Sequence, residues 1–299
     1  VSGADAGTPP RVLVIGDVMV DISARIDGPI AIGSDRRARI VEYPGGSAAT
    51  QAVWLARFGL GVDFVGRVGM ADHEAQGEIL RREGVTPRLA ADPALPTGRL
   101  IAIVDPSGER SFLTDRGAND ALRAADIPEG LVASADHVCL SGYSFLAPSP
   151  REAARGVIAR ATCPVSVDPG SAEFLREMGA ANFLEWTRGA AMLFPNGEEA
   201  AALAGTDDAQ AQGEFLRSRY DLVVIKRGAA GCEAWSGART LRVAAPTAAA
   251  IDTTGAGDAF VAGFLSARAR GEGLEASLEA AVAAGTVATT FAGGRPAPR

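Results

Sequence analysis

Six short apolar runs recur along the chain, and each ends in Gly, Asp or Asn. They are RVLVIGD (11–17), VDFVGRVG (62–69), DHVCLSG (136–142), CPVSVDPG (163–170), AAMLFPN (190–196) and DLVVIKRG (221–228). Runs of this length without polar alternation read as strands buried on both faces. Amphipathic stretches lie between them: SAATQAVWLARFG (47–59), DHEAQGEILRREG (72–84), SPREAARGVIARA (149–161) and GEEAAALAG (197–205). Strands alternating with helices predict an α/β fold with a mainly parallel central sheet flanked by helices. Ligands of such sheets bind beyond the carboxyl ends of the strands, so the polar strand ends are the place to look.

Two segments break the pattern. Residues 19–43 and 97–117 alternate apolar and polar residues and carry turn signals, Asp27-Gly28 and Pro106-Ser107-Gly108. They predict β-hairpins with one exposed face. The two hairpins are expected to pair into a small β-sheet that forms a lid over the strand ends. An edge extension of the main sheet is the other reading. Residues 11–296 read as a single α/β domain, and VSGADAGTPP (1–10) as a disordered leader.

Composition excludes several functions. The net charge is −7, which argues against a nucleic-acid partner or an anionic membrane surface. No run of apolar residues is long enough for a membrane-spanning helix, and no signal-peptide pattern is present, so the expected location is cytoplasmic. Cys139, Cys163 and Cys232 are far apart and fit neither a disulfide framework nor a zinc site. His73 and His137 have no histidine partner at ligand spacing, which speaks against a catalytic triad or a histidine metal site. Lys226 is the single lysine. It lies in VVIKRG, so no phosphate-binding loop of the G-x-x-x-x-G-K-[ST] type exists.

The stretch IDTTGAGDAFVAGF (251–264) places two carboxylates, Asp252 and Asp258, around a Thr-Thr-Gly-Ala-Gly run at the mouth of an apolar helix, 256–270. A helix N-terminus presents unpaired N–H groups and partial positive charge, and glycine lets phosphate approach. A carboxylate inside such a cradle would repel phosphate. It makes sense if Asp258 takes a proton from an attacking hydroxyl while the neighbouring N–H groups hold the developing charge. That is phosphoryl transfer to an alcohol.

These residues resemble the C-terminal signature of the ribokinase-like, or PfkB, family of sugar and nucleoside kinases. Further elements resemble that family in the same order: GDVMVD (16–21), GGSAATQAVWLARFG (45–59), NGEE (196–199) and KRGAAG (226–231). The resemblance covers residues 11–296. It implies Asp258 as catalytic base, with Gly255, Ala256 and Gly257 as the anion hole. It implies substrate contacts at Asp21, Gly45 and Gly46, and an ATP site at Asn196, Glu199, Gly228 and Gly231, beside Lys226. Glu199 is implied to hold magnesium through water, and Asp252 with the backbone of Thr254 to form a monovalent-cation site for an ion such as potassium, although FAGGRPAPR (291–299) departs from the family's cation loop. The lid of this family often also forms a homodimer interface.

Plainer roles stand beside these. Asp21 could cap a turn. Asn196 could be an N-cap, with Glu199 completing a capping box. Lys226 could be a solvated strand-end charge. Asp168, in VDPGS, could face the site or belong to a turn. Two positions bear on the acceptor. Thr50 stands where the family often has Asn, which shortens a polar arm. Tyr143 stands where an acidic residue is common, and its ring could stack on a sugar or a base. The expected activity is ATP-dependent phosphorylation of a small sugar. The alternatives are a nucleoside kinase and a catalytically silent binder of sugar or nucleotide.

Overall fold

The structure, a computed structural model, describes residues 9–296. Most of the expected leader, residues 1–8, lies outside them. The strands are β1 (Arg11–Ile15), β2 (Met19–Ile26), β3 (Ala38–Gly45), β4 (Gly61–Gly69), β5 (Val85–Asp92), β6 (Gly98–Val104), β7 (Arg110–Asp115), β8 (His137–Ser141), β9 (Val165–Asp168), β10 (Met192–Leu193), β11 (Leu222–Lys226), β12 (Cys232–Ser236) and β13 (Arg239–Val243). Nine of them form one sheet in the order β13-β12-β11-β10-β9-β8-β1-β4-β5. From β11 to β5 all neighbours run parallel. Only β12 and β13 are antiparallel, as an edge hairpin.

All six apolar runs supply strands of this sheet. Alternation along β1 shows why they are apolar throughout. Val12 and Val14 join the cluster on one face with the helices Ser47–Arg57, Ala256–Ala269 and Leu274–Ala288. Leu13 and Ile15 join the cluster on the other, with Pro148–Arg160 and Gly197–Ala204. A strand covered on both sides has no face left for polar residues.

Strands β5, β12 and β13 were not foreseen. β5 and β13 are the edge strands, and β12 lies next to β13; β5 even contains Pro87, which an edge strand tolerates. The helix Leu274–Ala288 was also missed. Its sequence, LEASLEAAVAAGTVA, is built largely of small residues. They allow close packing: a Cβ added at Gly263 would lie 2.7 Å from both the Ala280 carbonyl oxygen and the Ala284 Cβ.

The two segments that broke the pattern form a second sheet, in the order β3-β2-β6-β7. β2 and β6, one from each hairpin, pair in parallel at its centre. Register places Asp21 between Tyr43 and Leu100. With period-two alternation, Asp21, Leu100, Phe112 and Arg110 share one face, and Ile22, Ile40, Ile101 and Leu113 the other. The first face lines clefts against the main sheet. The edge-extension reading is therefore excluded.

Candidate active site

The first turn of the helix Ala256–Ala269 stands between two clefts. Gly255 precedes it with φ 71°, and no side chain caps the turn. Only glycine fits there: besides the left-handed backbone, an added Cβ would collide with the carbonyl of Gly294. On one side, Thr253, Ala256 and Gly257 line a cleft of about 410 Å³. On the other, Thr254, Gly255 and Asp258 line a pocket of about 190 Å³. Successive residues of TTGAGD thus face both compartments.

The larger cleft is lined mostly by apolar and small residues, among them Ala245, Pro246, Ala248, Phe260 and Val282, with Lys226, Gly228 and Gly231 at one end. Gly228 and Gly231 both have positive φ, and a Cβ on Gly231 would run into the Val243 carbonyl. Asn196 caps the helix Gly197–Ala204, and Glu199 returns the bond in a capping box. An isolated parallel bridge sets Asn196 beside Lys226. The N-cap role and a place near the larger cleft are therefore compatible.

Lys226 is not a solvated strand-end charge. Its side chain is 13% exposed and donates to Asp168 Oδ2 at 2.7 Å. Burial works against the ammonium, but the charges of Asp168 and Glu199 outweigh it and hold its pKa above the ordinary value. Burial, moderated by Lys226, pushes Glu199 up to about 7. Asp168 thus lies beside Lys226, at the end of β9, and Pro169-Gly170 leads on to the helix Ala172–Met178.

Asp258 keeps some contact with the pocket, yet surrounding protein desolvates it. Desolvation and repulsion from Asp168 push its pKa up to about 7, against the hydrogen bonds of Ser47 and Gln51. Ser47 Oγ donates to Asp258 Oδ1 at 2.6 Å and Gln51 Nε2 at 3.1 Å. Both bonds use the same oxygen, which leaves Oδ2 for an incoming group. A half-ionised carboxylate near neutrality is suited to proton transfer.

The smaller pocket holds Asp21, Gly46, Thr50 and Tyr143, and adds Asp17, Arg116 and Phe174. Asp21 Oδ1 is buried without a hydrogen-bond partner among the described residues. Burial, opposed by nearby Arg295, pushes its pKa up to about 6. A plain turn cap would have its bond made, so this carboxylate is built for a ligand. Gly45 and Gly46 allow close packing: a Cβ on Gly45 would overlap the Asp21 carboxyl, and one on Gly46 the Asp17 backbone. The Tyr143 hydroxyl donates to the Gly170 carbonyl at 2.8 Å, and its ring meets Phe174 edge-on at 5.8 Å.

Several of these residues were invisible in the sequence. Asp17 accepts from the Ser47 amide and the Ser141 hydroxyl, which joins β1, β8 and the glycine-rich helix start. Arg295 donates to the Gly45 carbonyl, and its remaining nitrogens Nε and Nη1 are buried without partners among the described residues. GDVMVD already contained Asp17, but nothing local distinguished it from a strand-end turn residue. Asp252 and the Thr254 side chain are bonded by Arg110 of β7, whose Nη1 lies 2.7 Å from Asp252 Oδ1 and 2.8 Å from Thr254 Oγ1.

Residues 9–298 match the family described as pfkB family carbohydrate kinase. The chain belongs to that family. It is a carbohydrate kinase of the sugar and nucleoside kinase class. It is similar to an ATP-dependent ribose-1-phosphate kinase of Halopiger xanaduensis, with 32% identity over 96% of this chain and 95% of the relative. It is similar to a fructokinase of Klebsiella pneumoniae, with 30% identity over 86% and 83%. The crystal structure of an adenosine kinase from Sinorhizobium meliloti superposes with a TM-score of 0.88, at 27% identity and 97% coverage of both chains. The kinase contains no helix, among the described residues, long and apolar enough to cross a membrane.

Proposed function

We propose that the kinase transfers the γ-phosphoryl group of ATP to a hydroxyl of a small sugar bound in the 190 Å³ pocket. One observation carries this reading: the uncapped helix start places Gly257 in the nucleotide cleft and Asp258 in the acceptor pocket, with its carboxyl poised near pH 7. Asp258 Oδ2 accepts the hydroxyl proton as the oxygen attacks the γ-phosphorus. The bond from that phosphorus to the bridging oxygen breaks, and ADP leaves with the electron pair. The amides around Gly255, Ala256 and Gly257 and the dipole of the helix behind them stabilise the transferring charge. Asp21 and Thr50 hold acceptor hydroxyls, and Tyr143 with Phe174 forms an aromatic wall for the ring. The intact base and cradle speak against a silent binder, which needs neither.

A magnesium ion fits as part of the incoming nucleotide. No cluster of three potential ligands among the described residues forms a cage for a bare ion. Magnesium keeps its waters and is commonly held by phosphates and one or two carboxylates. Glu199, buried beside Lys226 and Asp168, would hold it through water, and the ion would offset phosphate charge there.

The sheet β3-β2-β6-β7 acts as the lid of the acceptor pocket. Its outer face exposes Ile40, Ile101 and Leu113, at 64%, 37% and 59%, and this apolar stripe supports a homodimer through the lid. Free thiols at Cys139, Cys163 and Cys232 support a reducing, cytoplasmic setting.

A nucleoside is the second reading. A wider cleft shares Asp21, Leu100 and Thr254 with the pocket and runs beneath the exposed ring of Phe112, which gives a base somewhere to stack. The deciding experiment is phosphotransfer from ATP and magnesium to ribose, fructose, ribose 1-phosphate and adenosine, with thermal shifts beside it. A sugar is expected to give the highest kcat/KM. Preference for adenosine selects the second reading, and no transfer to any acceptor refutes both.

A further inference from the structure

The residues at Asp252 do not fit the monovalent cation that the family resemblance implies. Asp252 Oδ1 accepts from the Thr254 amide at 2.8 Å and from Arg110 Nη1 at 2.7 Å, and Oδ2 accepts from the Gly293 amide at 3.1 Å. Arg110 Nη1 also donates to Thr254 Oγ1. Both oxygens of the carboxylate are engaged, and its ion pair is largely shielded, with Arg110 25% and Asp252 15% exposed. A metal cation at the same oxygen would meet the guanidinium at contact distance, where like charges repel strongly.

The arginine arrives from the lid. It begins β7, on the face that carries Phe112 and Thr114 toward the clefts. Asp252 and Thr254 lead directly into Gly255 and the anion cradle. One guanidinium therefore ties the lid to the segment whose conformation sets the cradle amides.

We infer that Arg110 supplies, from the lid, the fixed positive charge at Asp252 and Thr254 that a bound monovalent cation would otherwise supply, so that phosphotransfer by this kinase needs no such cation. Arg110 is a positioning residue: it bonds Asp252 and Thr254 and so orders the loop 252–255. The inference rests on the phosphotransfer reading above.

The test compares wild type, Arg110→Ala and Arg110→Lys in potassium chloride and in tetramethylammonium chloride of equal ionic strength. Wild-type kcat/KM, with the best acceptor from the panel, is expected to agree within about two-fold between the salts. Arg110→Ala is expected to lose about ten-fold to a hundred-fold in tetramethylammonium, the scale of a charge-assisted contact, and to recover substantially in potassium. Arg110→Lys, which keeps a point charge, is expected to stay within about ten-fold of wild type in both. Wild type that requires potassium overturns the inference. So does Arg110→Ala that keeps full activity, or that loses it without recovery in potassium. The melting temperature separates this from failure of the phosphotransfer reading. Potassium should raise the melting temperature of Arg110→Ala but not of wild type, even if no acceptor is found. Equal responses of the two proteins overturn the inference.

Discussion

Ser47 Oγ donates to Asp258 Oδ1 at 2.6 Å, across 211 residues of sequence. The bond joins the starts of two helices, Ser47–Arg57 and Ala256–Ala269, each preceded by glycine. It stabilises the ionised carboxylate and so opposes the burial that raises its pKa. The serine thereby keeps the base available near neutrality.

The pH dependence follows from that balance. Asp258 must be ionised to accept a proton, so kcat/KM should rise with pH through an apparent pKa of about 7. In Ser47→Ala one bond that favours the charged form is gone, so the rising limb should move to higher pH. A pH–rate profile of the two proteins measures this. An unshifted limb in Ser47→Ala would separate Asp258 from the titration.

Asp258→Asn keeps the shape of the first turn but cannot accept the proton. Turnover is expected to fall by roughly 10²–10⁴, the scale of general-base loss. Binding of a non-hydrolysable ATP analogue, followed by calorimetry, should change little. Near-normal turnover with saturating acceptor would assign the base elsewhere.

Gly257→Val tests the cradle. A Cβ at Gly257 would sit 3.3 Å from Lys226 Nζ and project into the nucleotide cleft. The variant should fold, as judged by circular dichroism, and lose ATP-analogue binding. Retained binding and turnover would show that no phosphate sits over this turn.

Asp21→Ala removes a buried carboxylate whose Oδ1 awaits a partner. Losing a charge-assisted contact of ~1.5–3 kcal/mol should cut kcat/KM for the acceptor about ten-fold to a hundred-fold. The KM for ATP should stay nearly constant. An unaltered acceptor KM would take this strand end out of the pocket.

Much of the site was legible before any coordinates. TTGAGD announces a helix mouth with an anion cradle because glycine and an aspartate there have a local chemical reason. The capping box of Asn196 and Glu199 stood out in the same way, whereas Asp21 was marked only by the family resemblance. Asp17, Gln51, Phe174, Arg110 and Arg295 did not. Each takes its role from a partner far away in the chain, as Arg110 does from Asp252 and Arg295 from Gly45. No period or turn preference encodes such a meeting.

The sequence alone determined the parallel α/β core, because strands covered on both faces must be apolar throughout, and it determined the helix-mouth chemistry, because glycine and carboxylate act locally. Tertiary structure decided how those pieces share charge. Lys226 reads as a surface residue until β9 and β11, with short β10 between them, bring Asp168 to its ammonium. Asp258 reads as an ordinary acid until burial, Asp168, Ser47 and Gln51 set its pKa. Asp252 reads as an unpaired acid until β7 delivers Arg110. Desolvation and Coulomb energy depend on distances through space, and only the folded chain sets those.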